Sequence, residues 1–292
     1  MKKGTALNRI AAFFKKEAVL CIAAILAFGS MFFVPPDAGY LDYPDYRVLA
    51  ILFCLMLVIA GLQDIGLFRY LGLRFLGKIR NTGELGLLLV SLCFFGSMFI
   101  TNDVALITFV PFAVMVLTMA GQRKMLIPVV VLQTIGANLG SMLTPIGNPQ
   151  NLYLYAAFEI PMGTFLGCML PLAALSLVLL VIAVLLTGRE PLSVASLEPA
   201  ESPDRRKLAT FLVLFLVCLA CVLRLLPWPV MLGILILAVF FADRGLFRKV
   251  DYFLLATFAC FFLFIGNAGR IPAVSSLLRE LIGGRELPAG VV

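Results

Sequence analysis

The chain contains no histidine, and only 13% of its 292 residues are charged, 23 basic against 16 acidic. Without histidine it has no HExxH metal site and no Ser-His or Cys-His pair, and no nucleophile elbow stands in for them. The usual hydrolytic sets are missing, so an intramembrane enzyme or a non-transporting membrane protein is the third and weakest class. Scarce charge also excludes an ordinary soluble domain. With 62% hydrophobic residues and a mean hydropathy of +1.07, the chain must be solvated mainly by lipid. The expected fold class is all-α: a polytopic transmembrane helical protein. The net charge of +7 falls at segment ends, where basic residues act as topology signals, so no nucleic-acid partner is expected. The seven cysteines are scattered along apolar runs and read as small core residues. Cys218 and Cys221 form a CxxC, but without strand-helix context or a second ligand pair.

Charge bias orders the spans. The run Ala18 to Val34 follows Lys2, Lys3, Arg9, Lys15 and Lys16; it lacks a small-residue cleavage site and reads as a retained first helix with a cytoplasmic N-terminus. The next loop carries Asp37, Asp42 and Asp45 and faces outside. A second span, from about Tyr46 to Gly61, returns to the basic segment with Arg69, Arg74, Lys78 and Arg80.

Residues 84–120 then form two apolar arms hinged at Ile100-Thr101-Asn102-Asp103. Both ends lie on the cytoplasmic side, so either the arms cross fully or they form a re-entrant hairpin with its tip near mid-membrane. Each arm is shorter than the roughly 20 residues a full span wants, and the tip lacks the Gly/Pro punctuation of a solvated turn; both features favour the hairpin. Residues 125–160 make a further crossing interrupted by Gly136, Gly140, Pro145, Gly147 and Pro149. Proline removes an amide donor and glycine weakens a helix, so this stretch is expected to unwind and free backbone groups for ions. The plainer alternative is a kinked helix whose asparagines hold its neighbours.

The span Thr164 to Leu186 ends the first repeat, residues 1–187. A polar cytoplasmic linker follows at 188–207, and a partial second repeat at 208–292. FCLMLVIAGLQDIGLF from Phe53 aligns with FACFFLFIGNAGRIPAV from Phe258, and the two copies run in opposite directions by loop charge. That is the inverted repeat of an alternating-access carrier. Counting from Glu286 as from Glu84 places a second hairpin near position 303, so the sequence is expected to be a truncated form of a longer one.

Polar groups in hydrocarbon persist only where they face a cavity or each other. Asn102, Thr101 and Asn148 can hydrogen-bond an oxyanion or bare backbone, with Asn151 and Ser141 beside them. Asp103 is the embedded carboxylate, a candidate cation ligand or proton carrier. It could equally cap the second arm.

TNDVALITFVPF and NLGSMLTPIGNPQNLYLY resemble the signature segments of the ion transporter superfamily, which holds citrate and divalent-anion:sodium symporters, arsenite permeases and sodium/proton antiporters. The resemblance implies a re-entrant hairpin and a discontinuous helix. It implies a substrate site at Thr101, Asn102, Thr144, Asn148 and Asn151, and a cation site at Asp103, Asn102, Asn138, Ser141 and Gly147. Na+ or H+ would be the coupling ion, with no other cofactor. The Asp departs from the symporters' Ser-Asn-Thr type tip and is similar to the Thr-Asn-Asp of arsenite permeases. The expected function is a secondary active transporter moving a small anion, such as a di- or tricarboxylate like citrate, across the plasma membrane. An arsenite-efflux or Na+/H+ antiporter-type permease is the alternative. The partners implied are the anionic substrate, membrane lipid and possible pairing as a homodimer.

Overall fold

The structure is a computed structural model and describes residues 14, 17–76, 79–188, 190, 202–272, 274 and 276. The first basic residues, most of the 188–207 linker and the aligned end of the second repeat with Glu286 lie outside the described residues. In chain order the described α-helices are α1 Ala18–Ser30, α2 Tyr46–Asp64, α3 Leu67–Leu76, α4 Thr82–Gly96, α5 Asn102–Met119, α6 Leu126–Ser141, α7 Pro149–Ala157, α8 Met162–Leu185, α9 Arg205–Val222, α10 Trp228–Ala242 and α11 Tyr252–Arg270. Among the described residues five helical stretches are long and apolar enough to cross a membrane: α2, α5, the run Arg123–Ser141 that contains α6, α8 and α11. Shorter apolar helices α1, α4 and α10 accompany them. This is a polytopic helical membrane protein.

Short polar side chains start several of these helices. Asn81 accepts from the Glu84 amide at 2.9 Å while its own Nδ2 donates to Glu84 Oε1 at 2.8 Å, a reciprocal cap that opens α4. Asp45, Asp204 and Asp251 cap α2, α9 and α11 by accepting from the amides of Val48, Arg206 and Leu254.

The chain forms two compact units, residues 1–53 with 250–292, and residues 54–249. In the first, α1 packs on α11. The α1 stripe Ala23, Ala27 and Ser30 is buried while Val19, Ile22, Ile25 and Phe28 stay exposed. Small residues turned to the neighbouring helix and large apolar ones turned outward suit a lipid solvent. Asn267 Nδ2 donates to Ser30 Oγ at 2.9 Å and to Tyr40 Oη at 2.8 Å. Beyond it, the Arg270 guanidinium donates to both Asp37 carboxylate oxygens, at 3.1 and 2.6 Å, and to Tyr43 Oη at 2.9 Å. That hydrogen-bonded cation holds the Asp37 carboxyl below its ordinary 3.8.

In the second unit α4 and α5 form a helical hairpin that packs on α6 and, through α4, on α8. One cluster of buried side chains, Leu85, Leu89, Phe112, Val116 and Val129 among them, fills the hairpin's base. A second, with Val90, Phe94, Met98, Ala173 and Leu180, follows α4 toward the tip. The Thr82 amide donates to Glu190 O and the Glu190 amide to Thr82 Oγ1, both at 2.9 Å, and Glu190 also pairs with Lys124. The start of α4, the turn after α5 and the end of α8 therefore share one side. At the opposite end Arg224 lies over the Tyr155 ring and donates to its carbonyl at 3.3 Å.

The arms of the hairpin and α8 differ in length. At 1.5 Å per residue α8 covers roughly 36 Å, whereas α4 and α5 cover only about 22 and 27 Å. Ala173, which shares a cluster with Met98 near the tip, is preceded in α8 by Met162 to Leu172, roughly 16 Å of helix. Nine-residue α7 adds about 14 Å past the break. Each arm of the hairpin is thus shorter than α8.

Candidate functional site

The tip of the hairpin meets the break between α6 and α7. Thr101 holds the N-cap position of α5, Asn102 opens the helix, and Asp103 stands in its first turn. The cap position sequence alone allowed for Asp103 belongs to Thr101, whose backbone is extended there and whose hydroxyl makes no capping bond. The Asn102 amide donates to Gly147 O at 3.1 Å, and its Nδ2 donates to Asn138 Oδ1 at 2.9 Å. Thr144 Oγ1 donates to Met98 O at 2.5 Å, a second stitch between tip and break.

The break is narrower than expected. α6 passes through Gly136 and Gly140 and ends at Ser141; only Met142 to Asn148 leaves the helix. Neither glycine breaks the helix, and Gly140 is a packing residue. A Cβ on Gly140 would run into the Phe94 carbonyl and Ser97 Oγ, and one on Gly136 would lie 3.4 Å from Val90 Cγ1. Here glycine lets two helix backbones approach, and the helical hydrogen bonds survive. Gly147 serves the turn itself, since a Cβ would meet the Ser141 backbone.

Asparagines organise the unwound segment. Asn148 Oδ1 accepts from the Asn151 amide at 2.7 Å, capping α7, and Pro149 fills the first helical position. Asn151 Nδ2 faces three freed carbonyls, Met142 O at 3.0 Å, Thr144 O at 3.2 Å and Ser141 O at 3.4 Å. Ser141 Oγ donates to Asn138 O at 2.9 Å and lies 3.3 Å from Asn148 Nδ2.

All the residues proposed from sequence thus gather at one place, in two layers. Ser141, Gly147 and Asn151 are buried and hold the loop; Thr101, Asn102, Thr144 and Asn148 are half-buried; Asp103 and Asn138 are exposed. A small set of polar groups lies open at the edge of an otherwise apolar bundle. Gln133 is the residue that sequence reasoning missed. It is fully buried in α6, and its Nε2 donates to Leu89 O of α4 at 3.0 Å and to Phe109 O of α5 at 3.3 Å. Its isolation within VVVLQTIG was the available signal. Among the described residues no group of three or more His, Cys, Asp or Glu side chains could hold a metal ion.

A helical bundle that turns leucine and phenylalanine outward, and seats a polar hairpin tip in the gap of a discontinuous helix, is a multi-pass membrane transporter. The chain belongs to the citrate transporter family, whose model matches residues 9–290. It is 29% identical over 262 residues to the inner membrane protein YbiR of Escherichia coli, covering 87% of this chain and 68% of that one. It is 29% identical over 232 residues to the uncharacterized transporter MJ0456 of Methanocaldococcus jannaschii, covering 79% and 62%. A shorter match, 32% over 128 residues, is to the silicon efflux transporter LSI3 of Oryza sativa subsp. japonica, covering 44% and 26%.

Proposed function

We propose that this transporter moves a small carboxylate anion across the plasma membrane, with citrate-like di- and tricarboxylates as the substrate class, coupled to Na+ or H+. The carrying observation is the pair of bonds from Asn102 to Gly147 O and Asn138 Oδ1. They set the N-terminus of 18-residue α5 beside the capped N-terminus of α7. Two positive dipole ends favour an anion there, while the carbonyls of the 142–148 turn suit a cation. Asp103 and Asn138, exposed at the edge, are the groups a solute meets first. The hairpin is re-entrant in this reading, with its tip within the membrane. The cytoplasmic side is the one holding Arg69, Arg74, Arg80, Arg123, Lys124, Arg206 and Lys249.

Mirrored latches support the inverted repeat. Asp64, at the end of α2, pairs with Lys249, just before α11. Arg270, at the end of α11, pairs with Asp37 and Tyr43, just before α2. The aligned glycines 61 and 266 each have an aromatic ring, Phe211 and Tyr43 respectively, where a Cβ would stand.

The test is uptake of labelled citrate and succinate into proteoliposomes, with and without a Na+ or pH gradient. Wild-type protein should accumulate the anion only under a gradient. Asp103→Asn should lower the gradient dependence at least tenfold while protein yield and monodispersity hold. Uptake unchanged in D103N, with lower yield alone, would reduce Asp103 to a structural part. A second reading rests on that same carboxylate and on the silicon efflux relative: export of a neutral metalloid acid, or cation/proton exchange. Gradient-driven efflux of arsenite or silicic acid, with no carboxylate uptake, would select it.

A further inference from the structure

Helix α7 begins at the transport site and ends at an arginine. It has no extended packing partner among the described helices, so its placement rests on its two ends. At the first, Asn148 caps it and Asn151 ties it to the 142–148 turn. At the second, the contacts converge on Tyr155, a buried residue whose ring stands perpendicular to that of Phe165 in α8, 6.1 Å away. The Phe158 and Glu159 amides donate to Leu154 O and Ala156 O, whereas Tyr155 O accepts from the Arg224 guanidinium at 3.3 Å. The same guanidinium lies over the Tyr155 ring, 5.4 Å from its centre. A cation there meets the negative end of the helix dipole and a carbonyl near the helix terminus at once.

The backbone at Arg224 suits a different residue. Just past the end of α9 the amides of Arg224 and Leu225 return to Cys221 O and Ala220 O, and Arg224 holds a φ of 63°. That left-handed position is ordinarily glycine's, because a Cβ disfavours it. Arg224 is also the one charged residue between Leu208 and Ala242. The turn needs no arginine, so what the side chain grips accounts for it. We infer that Arg224 is a positioning residue for transport: acting through Tyr155, it fixes the direction of α7 and so aims the Asn148 end of that helix at the anion. This rests on the anion reading of the site given above.

The experiment pairs uptake kinetics in proteoliposomes with hydrogen exchange on the whole purified chain. Arg224→Gln should raise the KM for labelled citrate or succinate about fivefold, equivalent to about 1 kcal/mol of helix-dipole attraction, while the maximal rate per folded protein holds. Arg224→Lys keeps a cation within reach of Tyr155 and should recover much of that loss. Arg224→Gly suits the left-handed turn, so it should melt no lower than R224Q and yet raise KM as far. A purely structural residue would lower yield and melting temperature and leave KM alone. Arg244→Gln is the control, because Arg244 makes the same kind of contacts with the ring and carbonyl of Phe240 in α10; it should keep the wild-type KM. Exchange needs no substrate. The amides of Asn151 and Leu152, which close onto Asn148, should exchange faster in R224Q and R224G than in wild type. Wild-type KM in R224G, an equal rise in R244Q, or unchanged exchange at Asn151 and Leu152 would each overturn the inference. If wild-type protein takes up no carboxylate while exchange at those amides still rises in the variants, the tie from Arg224 stands and the anion reading falls.

Discussion

At the scale of single residues, the glycines of this chain do opposite work depending on what lies across from them. Gly140 leaves room for the carbonyl of Phe94, and the atom in the way is backbone, which cannot rotate aside. Gly167 in α8 has nothing within 4 Å of where its Cβ would stand. Gly140→Ala should therefore destabilise the protein by about 1–3 kcal/mol, the usual cost of overpacking. Gly167→Ala should be neutral or stabilise by up to about 1 kcal/mol through helix propensity. Thermal unfolding in detergent separates them: G140A melts lower than wild type and G167A does not. Equal melting temperatures for both variants would mean that α4 and α6 are not in backbone contact. Sequence alone marks both positions as glycine in an apolar run. Only the opposing strand of backbone tells a packing glycine from a permissive one, which is why Gly136 and Gly140 read as helix breakers before the fold was in view.

At the scale of elements, the break between α6 and α7 is a built turn with its own hydrogen-bond economy. Residues 142–148 free their carbonyls from the helix, and one buried amide, Asn151 Nδ2, faces two of them, Met142 O and Thr144 O, together with Ser141 O at the end of α6. Carbonyls buried without a donor cost about 1–3 kcal/mol. Asn151→Ala should therefore loosen this segment, lowering stability by roughly that amount and raising hydrogen exchange at 142–148 while α8 stays protected. Asn151→Asp, which keeps the volume but loses the donors, should behave as the alanine does; wild-type exchange in both would remove Asn151 from the turn. Some of this element is legible in the chain itself. Asn148-Pro149 announces a capped helix start, and Thr101-Asn102-Asp103 announces a polar site, because few residues of that kind are tolerated in lipid. Their meeting is not legible. The bond from Asn102 to Asn138 spans 36 residues and that from Gln133 to Leu89 spans 44, and no local pattern encodes such pairings.

For the whole molecule, the internal ties of the 54–249 unit sort its loops onto two faces. Lys124, Glu190 and Thr82 are bound to one another at the hairpin base, and Arg224 is bound to Tyr155 at the far end of α7. If the hairpin is re-entrant, both its ends, Glu84 and Lys124, lie on one side with the polar tip never reaching the other. Crossing arms would instead place Asn102 in bulk water on the face of Arg224. Impermeant thiol labelling decides between these in a cysteine-free background, with single cysteines placed at Lys124, Asn102 and Glu159. Glu159 should label from outside intact cells and Lys124 only in everted vesicles. Asn102 should label slowly from either side, and saturating transported anion should slow it further. Rapid labelling of all three from one face would abolish the re-entrant hairpin. Rapid labelling of Asn102 together with Glu159, unaffected by substrate, would make the tip an ordinary external turn and move the transport site elsewhere in the bundle.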